Sequence, residues 1–297
     1  MSRPSQSLLD RYNAMSIRAA GRVISSYSSS FSLATNLLPS AMRRDIANLY
    51  AMVRIADEIV DGTAEEAGLT AEQVARALDD YERAVLAAPD LHFHVDPVLH
   101  AYAETARRCR FNPDHVRAFF RSMRMDLSQA THDPESLGEY IYGSAEVIGL
   151  LCVSVFLSGE DATPGARAEL DRGARALGAA FQKVNFLRDF AQDEGHLGRV
   201  YFPEIQQRGL TEETKAHLVR DIQQDLRVAR AAVPGLPRGA QVGVAAAAGL
   251  FEELNNRIDR MPAEAVRAGR VSVPGPVKLR IAAKEAAQVA RRSWRPE

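Results

Sequence analysis

Apolar residues recur along this chain every three or four positions, the spacing that gives an α-helix one buried face. The clearest run covers 177–203: at about 100° per residue, Leu177, Ala180, Val184, Leu187 and Ala191 fall on one side and Gln182, Asn185, Asp189 and Asp193 on the other. A second run, over 50–61, sets Leu49, Met52, Val53, Ala56 and Val60 beside a stripe of Tyr50, Arg54, Asp57 and Asp61. Further helices are predicted from Asn13 through Val23, from a Ser40 cap to Gly62, from a Thr70 cap to Ala88, from Pro97 to Arg110, and from Pro113 through Leu127. The serine-rich stretch 25–30, followed by Phe31, interrupts the pattern, because short hydroxyls compete for backbone hydrogen bonds and favour caps and turns. Within 134–157, Gly143, Ser144, Ala145 and Gly149 mark a helix break or close backbone packing. Later helices are expected over 211–233 and 244–258, and a basic one over 278–292. There is no strand-period alternation of useful length and no fixed repeat. The expected fold is all-α, with a loose lead-in over 1–12, a single helical-bundle domain over 13–292 and a short tail over 293–297.

The two polar stripes turn attention from scaffold to chemistry. Side chains four apart on a helix stand roughly 5–6 Å apart at Cβ, so Asp189 and Asp193 can converge on one hard cation, as can Asp57 and Asp61. Acidic pairs of that spacing are also common on solvated faces. If the two helices face each other in a bundle, however, four carboxylates meet in one apolar interior and cannot all stay ionised without cations. Mg²⁺ is the expected ion, with Mn²⁺ as a substitute, because Mg²⁺ takes few protein carboxylates and fills its other positions with water and substrate phosphate. The Asn185 and Gln182 amides extend the polar row. Arg54 stands one turn before Asp57, where its planar fork suits either an ordinary helical ion pair or a phosphate.

Charge and cysteine usage narrow the classes. Lys and Arg number 37 and Asp and Glu 38, and this net charge of −1 leaves no electrostatic footprint for nucleic acid. Cys109 and Cys152 supply neither a disulfide framework nor a zinc pattern and fit a reducing compartment. His92 and His94, in a loop before Pro97, are expected at the surface. The first residues lack the apolar core of a signal peptide, and no stretch reaches about 18 consecutive apolar residues. The expectation is a cytoplasmic protein, soluble or peripheral at the inner face of the membrane. There the basic residues of 278–292 form either a solvated face or a contact for anionic lipid.

These motifs resemble those of the squalene and phytoene synthase family, whose members carry one DxxxD motif on an early helix and a second inside QxxNxxRDxxxD. Here they stand as Asp57-Glu58-Ile59-Val60-Asp61 and as Gln182 through Asp193. The latter is followed by Gly198-Arg199-Val200-Tyr201-Phe202-Pro203, similar to the family's GRxYxP. Ser28-Ser29-Ser30-Phe31, Tyr50 to Arg54, Met123-Arg124-Met125-Asp126 and Tyr140-Ile141-Tyr142-Gly143-Ser144-Ala145 also match, so the resemblance covers 26–276. It implies an isoprenoid synthase bundle around a central hydrophobic cavity. It further implies Mg²⁺ held by Asp57, Asp61, Asn185, Asp189 and Asp193, with the four aspartates as the catalytic set. A prenyl diphosphate would be bound by Ser30, Phe31, Tyr50, Arg54, Tyr142, Gln182, Asn185, Arg188 and Arg199. Glu146 stands where relatives place Gly or another small residue.

The reaction implied is head-to-head joining of two geranylgeranyl diphosphates to phytoene through a cyclopropylcarbinyl diphosphate, without NADPH. The alternatives are farnesyl diphosphate as donor, giving dehydrosqualene or, with NADPH, squalene; a terpene cyclase; and a non-catalytic lipid-binding or assembly homologue. The second motif differs from the usual cyclase type, and all four aspartates that an idle relative should have lost are present.

Overall fold

A computed structural model of the chain describes residues 7–293, so the expected lead-in over 1–12 and tail over 293–297 lie partly outside the described residues. The first helix begins earlier than Asn13. Helix α1 (Leu8–Tyr27) starts from a capping box in which the Ser7 hydroxyl accepts from the Asp10 amide and the Asp10 carboxylate accepts from the Ser7 amide. Apolar periodicity hides this start, because Leu8 and Leu9 are 82% and 50% exposed and mark no buried face. The serine break is a one-residue corner: Ser28 is extended, and its hydroxyl accepts from the Phe31 amide to cap α2 (Ser29–Asn36). Helix α3 (Ser40–Val60) is not capped by the Ser40 side chain as expected; Pro39 occupies the cap position and Ser40 is the first helical residue. Its far end follows expectation, with Asp61 as C-cap and Gly62 at φ 100°, a left-handed conformation that favours glycine.

A single turn, α4 (Thr63–Glu66), leads to α5 (Ala71–Ala87), α6 (Pro97–Cys109) and α7 (Pro113–Ser128). Then come α8 (Pro134–Ile141), α9 (Val147–Phe156), α10 (Pro164–Arg188) and the three-residue α11 (Phe190–Gln192). The last elements are α12 (Pro203–Arg208), α13 (Glu212–Ala232), α14 (Arg238–Arg260), α15 (Ala263–Ala268) and α16 (Gly275–Ser293). Among the described residues the one β feature is an isolated bridge between Thr131 and Val200. His92 is exposed as expected, but His94 is buried, with its Nε2 3.1 Å from the Ala88 carbonyl oxygen.

Helix α10 lies along α13 and packs against α9 and α14, while α3 packs against α1, α6 and α7. The two largest apolar clusters among the described residues follow from this packing. Val184, Leu187, Ile222 and Ile258 sit in one; Leu49, Met52, Tyr102, Phe119 and Phe120 sit in the other. Fully burying a side chain of this size contributes roughly 1.5–3 kcal/mol, which is what holds the long helices in register. The small residues of 134–157 serve close packing: a π-turn at Tyr142–Glu146 joins α8 to α9, Gly143 gives room to the Ala118 carbonyl of α7, and Gly149 gives room to that of Ala174 on α10. Pro134–Phe156 is long and apolar enough to cross a membrane by composition, yet more than half of its most apolar window is buried inside the bundle.

Candidate active site

The C-terminal half of α3 carries Tyr50, Arg54, Asp57 and Asp61 along one face. Arg54 is held from three sides. Its guanidinium lies 4.4 Å from the Tyr27 ring, its Nε donates to Glu58 at 2.8 Å, and Asp57 stands 3.8 Å away. The ordinary helical ion pair is therefore made with Glu58 more closely than with Asp57, and the Asp57 carboxylate is left facing its acidic neighbours.

The second acidic stretch is not one continuous helix over 177–203. Helix α10 ends at Arg188, and Asp189, at φ −100° and ψ 6°, is its C-cap; α11 and a π-turn at Asp193–Leu197 follow. The Asp193 amide still donates to the Asp189 carbonyl at 3.0 Å, so the one-turn spacing survives the change of geometry. Gly198 then takes a left-handed turn at φ 62°, and the Arg199 amide donates back to the Asp193 carbonyl at 2.9 Å. This turn aims Arg199 across to α3. Its guanidinium donates to the backbone carbonyls of Asp126 (3.0 Å) and Val60 (3.4 Å) and lies 3.5 Å from the Asp61 carboxylate and 3.8 Å from that of Asp126. The two motifs thus meet, joined by Arg199.

Asp126 is a fifth carboxylate that the candidate set lacked. It sits on α7 with its side chain 4% exposed, accepts from the Tyr140 hydroxyl at 3.0 Å, and leaves Oδ1 without a hydrogen-bond donor. Its signal in the sequence is its place in the matching stretch Met123-Arg124-Met125-Asp126, beside the apolar face of α7. Burial pushes the Asp126 carboxyl up to about 7, against the pull of Arg199 and Tyr140. Asp193 is also pushed up to about 7, by burial and then by Asp189, with Asp61 adding to the repulsion. Burial and Asp61 hold Asp57 well above the usual carboxylate range; burial raises Asp61 too, partly offset by Arg199.

Asp189 is met by two arginines. It accepts from Arg188 Nε at 2.9 Å and pairs with Arg270 Nε at 2.8 Å, a residue of the segment before α16. Among the described residues no three His, Cys, Asp or Glu side chains are grouped closely enough to hold a metal ion. The donor chemistry nonetheless fits a hard divalent cation. Several carboxylates repel one another in a half-buried cleft, and the buried Asn185 Oδ1 and Asp126 Oδ1 lack any hydrogen-bond partner.

Apolar walls flank the acids. The Phe31 ring lies 6.2 Å from Tyr50, 5.5 Å from Phe181 and 5.7 Å from Phe251, and Phe181 stacks on Phe251 at 3.8 Å. These rings form one aromatic cluster beside the acidic row. A cavity of about 230 Å³ lies between α1, α3 and α6, lined by Asn13, Asp45, Asn48, His100 and Thr105 among others. Ser30, next to Phe31, and Gln182, three residues before Asn185, are half-buried. Tyr142 is not brought to the acids. Its ring packs on the α3–α7 core and under Arg175, whose guanidinium is 5.4 Å away. Glu146 pairs with Arg175 at 2.6 Å, and its Cα, with the Ala145 carbonyl, lies against the bare Cα of Gly178.

The whole bundle is similar to known structures. A dehydrosqualene synthase crystallised with a ligand superimposes with a TM-score of 0.75 at 18% identity, over 95% of this chain and 99% of that one. In sequence, the chain is 27% identical to the 15-cis-phytoene synthase of Pantoea ananas over 78% of its own length and 79% of the relative's. It is 30% identical to the bifunctional lycopene cyclase/phytoene synthase of Colletotrichum graminicola over 69% of its length, but spans only 38% of that longer protein. The pattern described as squalene/phytoene synthase matches residues 24–276, and with both acidic motifs meeting at Arg199 the chain belongs to the squalene/phytoene synthase family.

Proposed function

We propose that the protein joins two prenyl diphosphates head to head, with geranylgeranyl diphosphate as donor and phytoene as product, through a cyclopropylcarbinyl diphosphate. The observation that carries this reading is the Arg199 contact with Asp61, because it sets the acidic ends of α3 and α10 around one cleft bounded by aromatic rings. A prenyl diphosphate has the same division, a charged head on an apolar tail. Relatives named phytoene synthase support the choice of product.

Asp57, Asp61, Asn185, Asp189 and Asp193 are the residues that would hold Mg²⁺, and Asp126 is positioned to join them. The ion, when bound, supplies charge to neutralise the diphosphate as it leaves the allylic carbon. Arg188, Arg199 and Arg270 add fixed positive charge beside the leaving group. Phe31, Phe181 and Phe251 keep water from a carbocation and steer the tail. Loss of a proton ends the sequence without a reductant.

The dehydrosqualene synthase that superimposes on the bundle favours a second reading, with the C15 donor farnesyl diphosphate and a dehydrosqualene product. One assay separates the two. Purified protein with Mg²⁺ is given farnesyl or geranylgeranyl diphosphate, with and without NADPH, and pyrophosphate and hydrocarbon are measured. A C40 hydrocarbon formed without NADPH is expected. A cyclised product from a single donor, or no turnover of either donor, would sink the proposal.

A further inference from the structure

Helix α16 shows solvent a one-sided arc. Pro276, Leu279, Ala283, Ala287 and Ala290 run along it, with Leu279 62% exposed, and Arg280, Lys284 and Arg291 line one edge. At about 100° per residue these eight positions fall within roughly 140° of one another. The opposite side is used inside the bundle, where Ala282 and Glu285 are buried and Glu285 pairs with Arg230 of α13 at 2.8 Å. Glu285 is the only acid of α16, so none lies on the exposed arc. Among the described residues, Arg280, Lys284 and Arg291 enter no ion pair, unlike Arg54, Arg124, Arg175 or Arg230 elsewhere in the fold. Unneutralised cations beside small apolar side chains are not explained by the folding of α16. They are complementary to a surface that is anionic outside and apolar within.

The side of α16 opposite the arc is near the candidate site. Lys278, at the start of α16, donates from Nζ to the Ser29 hydroxyl at 2.7 Å, beside Ser30 and Phe31. Arg270, the partner of Asp189, lies just before the same helix.

We propose that α16 docks on an anionic phospholipid bilayer, with Arg280, Lys284 and Arg291 against the headgroups and Leu279 entering the interface. The docking does not rest on the proposed function. Each Lys or Arg near an anionic leaflet strengthens binding roughly fivefold, and salt screens the effect.

The test mixes the full chain with vesicles of phosphatidylcholine alone, or of phosphatidylcholine with phosphatidylglycerol, at low and high salt, and measures the bound fraction by sedimentation. Binding to the anionic vesicles only is expected, weakened by salt. Arg280→Glu with Lys284→Glu should reduce it by about tenfold or more, while turnover of detergent-dispersed prenyl diphosphate stays at the wild-type level. Absence of binding, equal binding to neutral vesicles, binding that the double variant keeps, or stronger capture of duplex nucleic acid than of anionic vesicles would each overturn the proposal. If circular dichroism shows the double variant unfolded, Arg280→Gln with Lys284→Gln decides by the same measurement. Protein that binds vesicles but turns over no prenyl diphosphate leaves the docking standing and sinks the proposed reaction; active protein that ignores vesicles does the reverse.

Discussion

The Arg199 guanidinium lies 3.5 Å from the Asp61 carboxylate, and through this contact the end of α3 is tied to the turn that follows α11. Arg199 also donates to the carbonyls of Val60 and Asp126, so its fork is shared between backbone oxygens and acids. Lysine keeps the charge but cannot make this forked set. Arg199→Lys is expected to lower kcat by about tenfold and Arg199→Ala by about a hundredfold or more, both read from pyrophosphate release. Wild-type kcat in Arg199→Ala would remove this residue from the site.

Asp126 gives a stability prediction with a definite sign. Its carboxyl is pushed up to about 7 by burial, whereas the unfolded chain titrates near the ordinary value of about 3.9. Between those values the folded chain holds a proton that the unfolded chain has released, so stability falls as pH rises from about 4 to about 7 and is then level. The full shift corresponds to roughly 2–4 kcal/mol. In chelator, Asp126→Asn should therefore melt higher than wild type at about pH 8, with the difference shrinking as pH falls toward about 4. A lower melting temperature for the variant at the alkaline end would show that the charged Asp126 is stabilised by its partners instead.

How far these relationships could be read in advance depended on whether they were local. Asp57 and Asp61, and Asp189 and Asp193, share their own helical turns, so spacing alone found them. The Ser28 corner and the Gly62 stop were legible for the same reason. Asp126 and Arg270 come from elements remote in sequence and have no periodic signature, and only the tertiary fold shows that one is buried beside Tyr140 and the other paired with Asp189. The end of α10 at Asp189 was also hidden, because the Asp189 amide still donates to the Asn185 carbonyl and the Asp193 amide to that of Asp189, so the one-turn spacing runs through the break. Tyr142 lies in a matching stretch, and only the tertiary fold shows its ring on the α3–α7 core and under Arg175.

Asp57 separates chemistry from folding. Burial and the Asp61 charge make its ionised form unfavourable in the metal-free chain, so removing that charge relieves repulsion. Asp57→Asn should leave helix content unchanged and the melting temperature equal or higher, while turnover falls about a hundredfold or more. Circular dichroism and pyrophosphate release on the same preparation test both halves. Unchanged turnover would show that the α3 motif is not in the site.

Gly178 makes the opposite separation. A Cβ there would stand 2.5 Å from the Ala145 carbonyl oxygen and 2.8 Å from its carbon, and neither backbone atom can swing aside. Gly178→Ala must push α10 away from the π-turn, at a cost of about 1–3 kcal/mol. Thermal denaturation should show a fall of several degrees. An unaltered melting temperature would mean that the π-turn yields easily.

Arg270 tests whether the pairing of Asp189 is structural or serves binding. The Arg270 side chain is 62% exposed while it contacts Asp189 at 2.8 Å, and exposed ion pairs contribute little stability, about 0–1 kcal/mol. Arg270→Gln should therefore melt within a degree or two of wild type. Asp189 keeps Arg188 as a partner in that variant, so the acidic row itself is not rebuilt. What is lost is a cation able to exchange Asp189 for an incoming diphosphate, and the consequence should appear in KM for the prenyl diphosphate, raised about tenfold, with kcat changed less. Arg270→Lys should recover part of the loss by restoring the charge without the fork. If KM is unchanged in Arg270→Gln, Arg270 only neutralises Asp189 and the diphosphate is met by Arg188 and Arg199 alone.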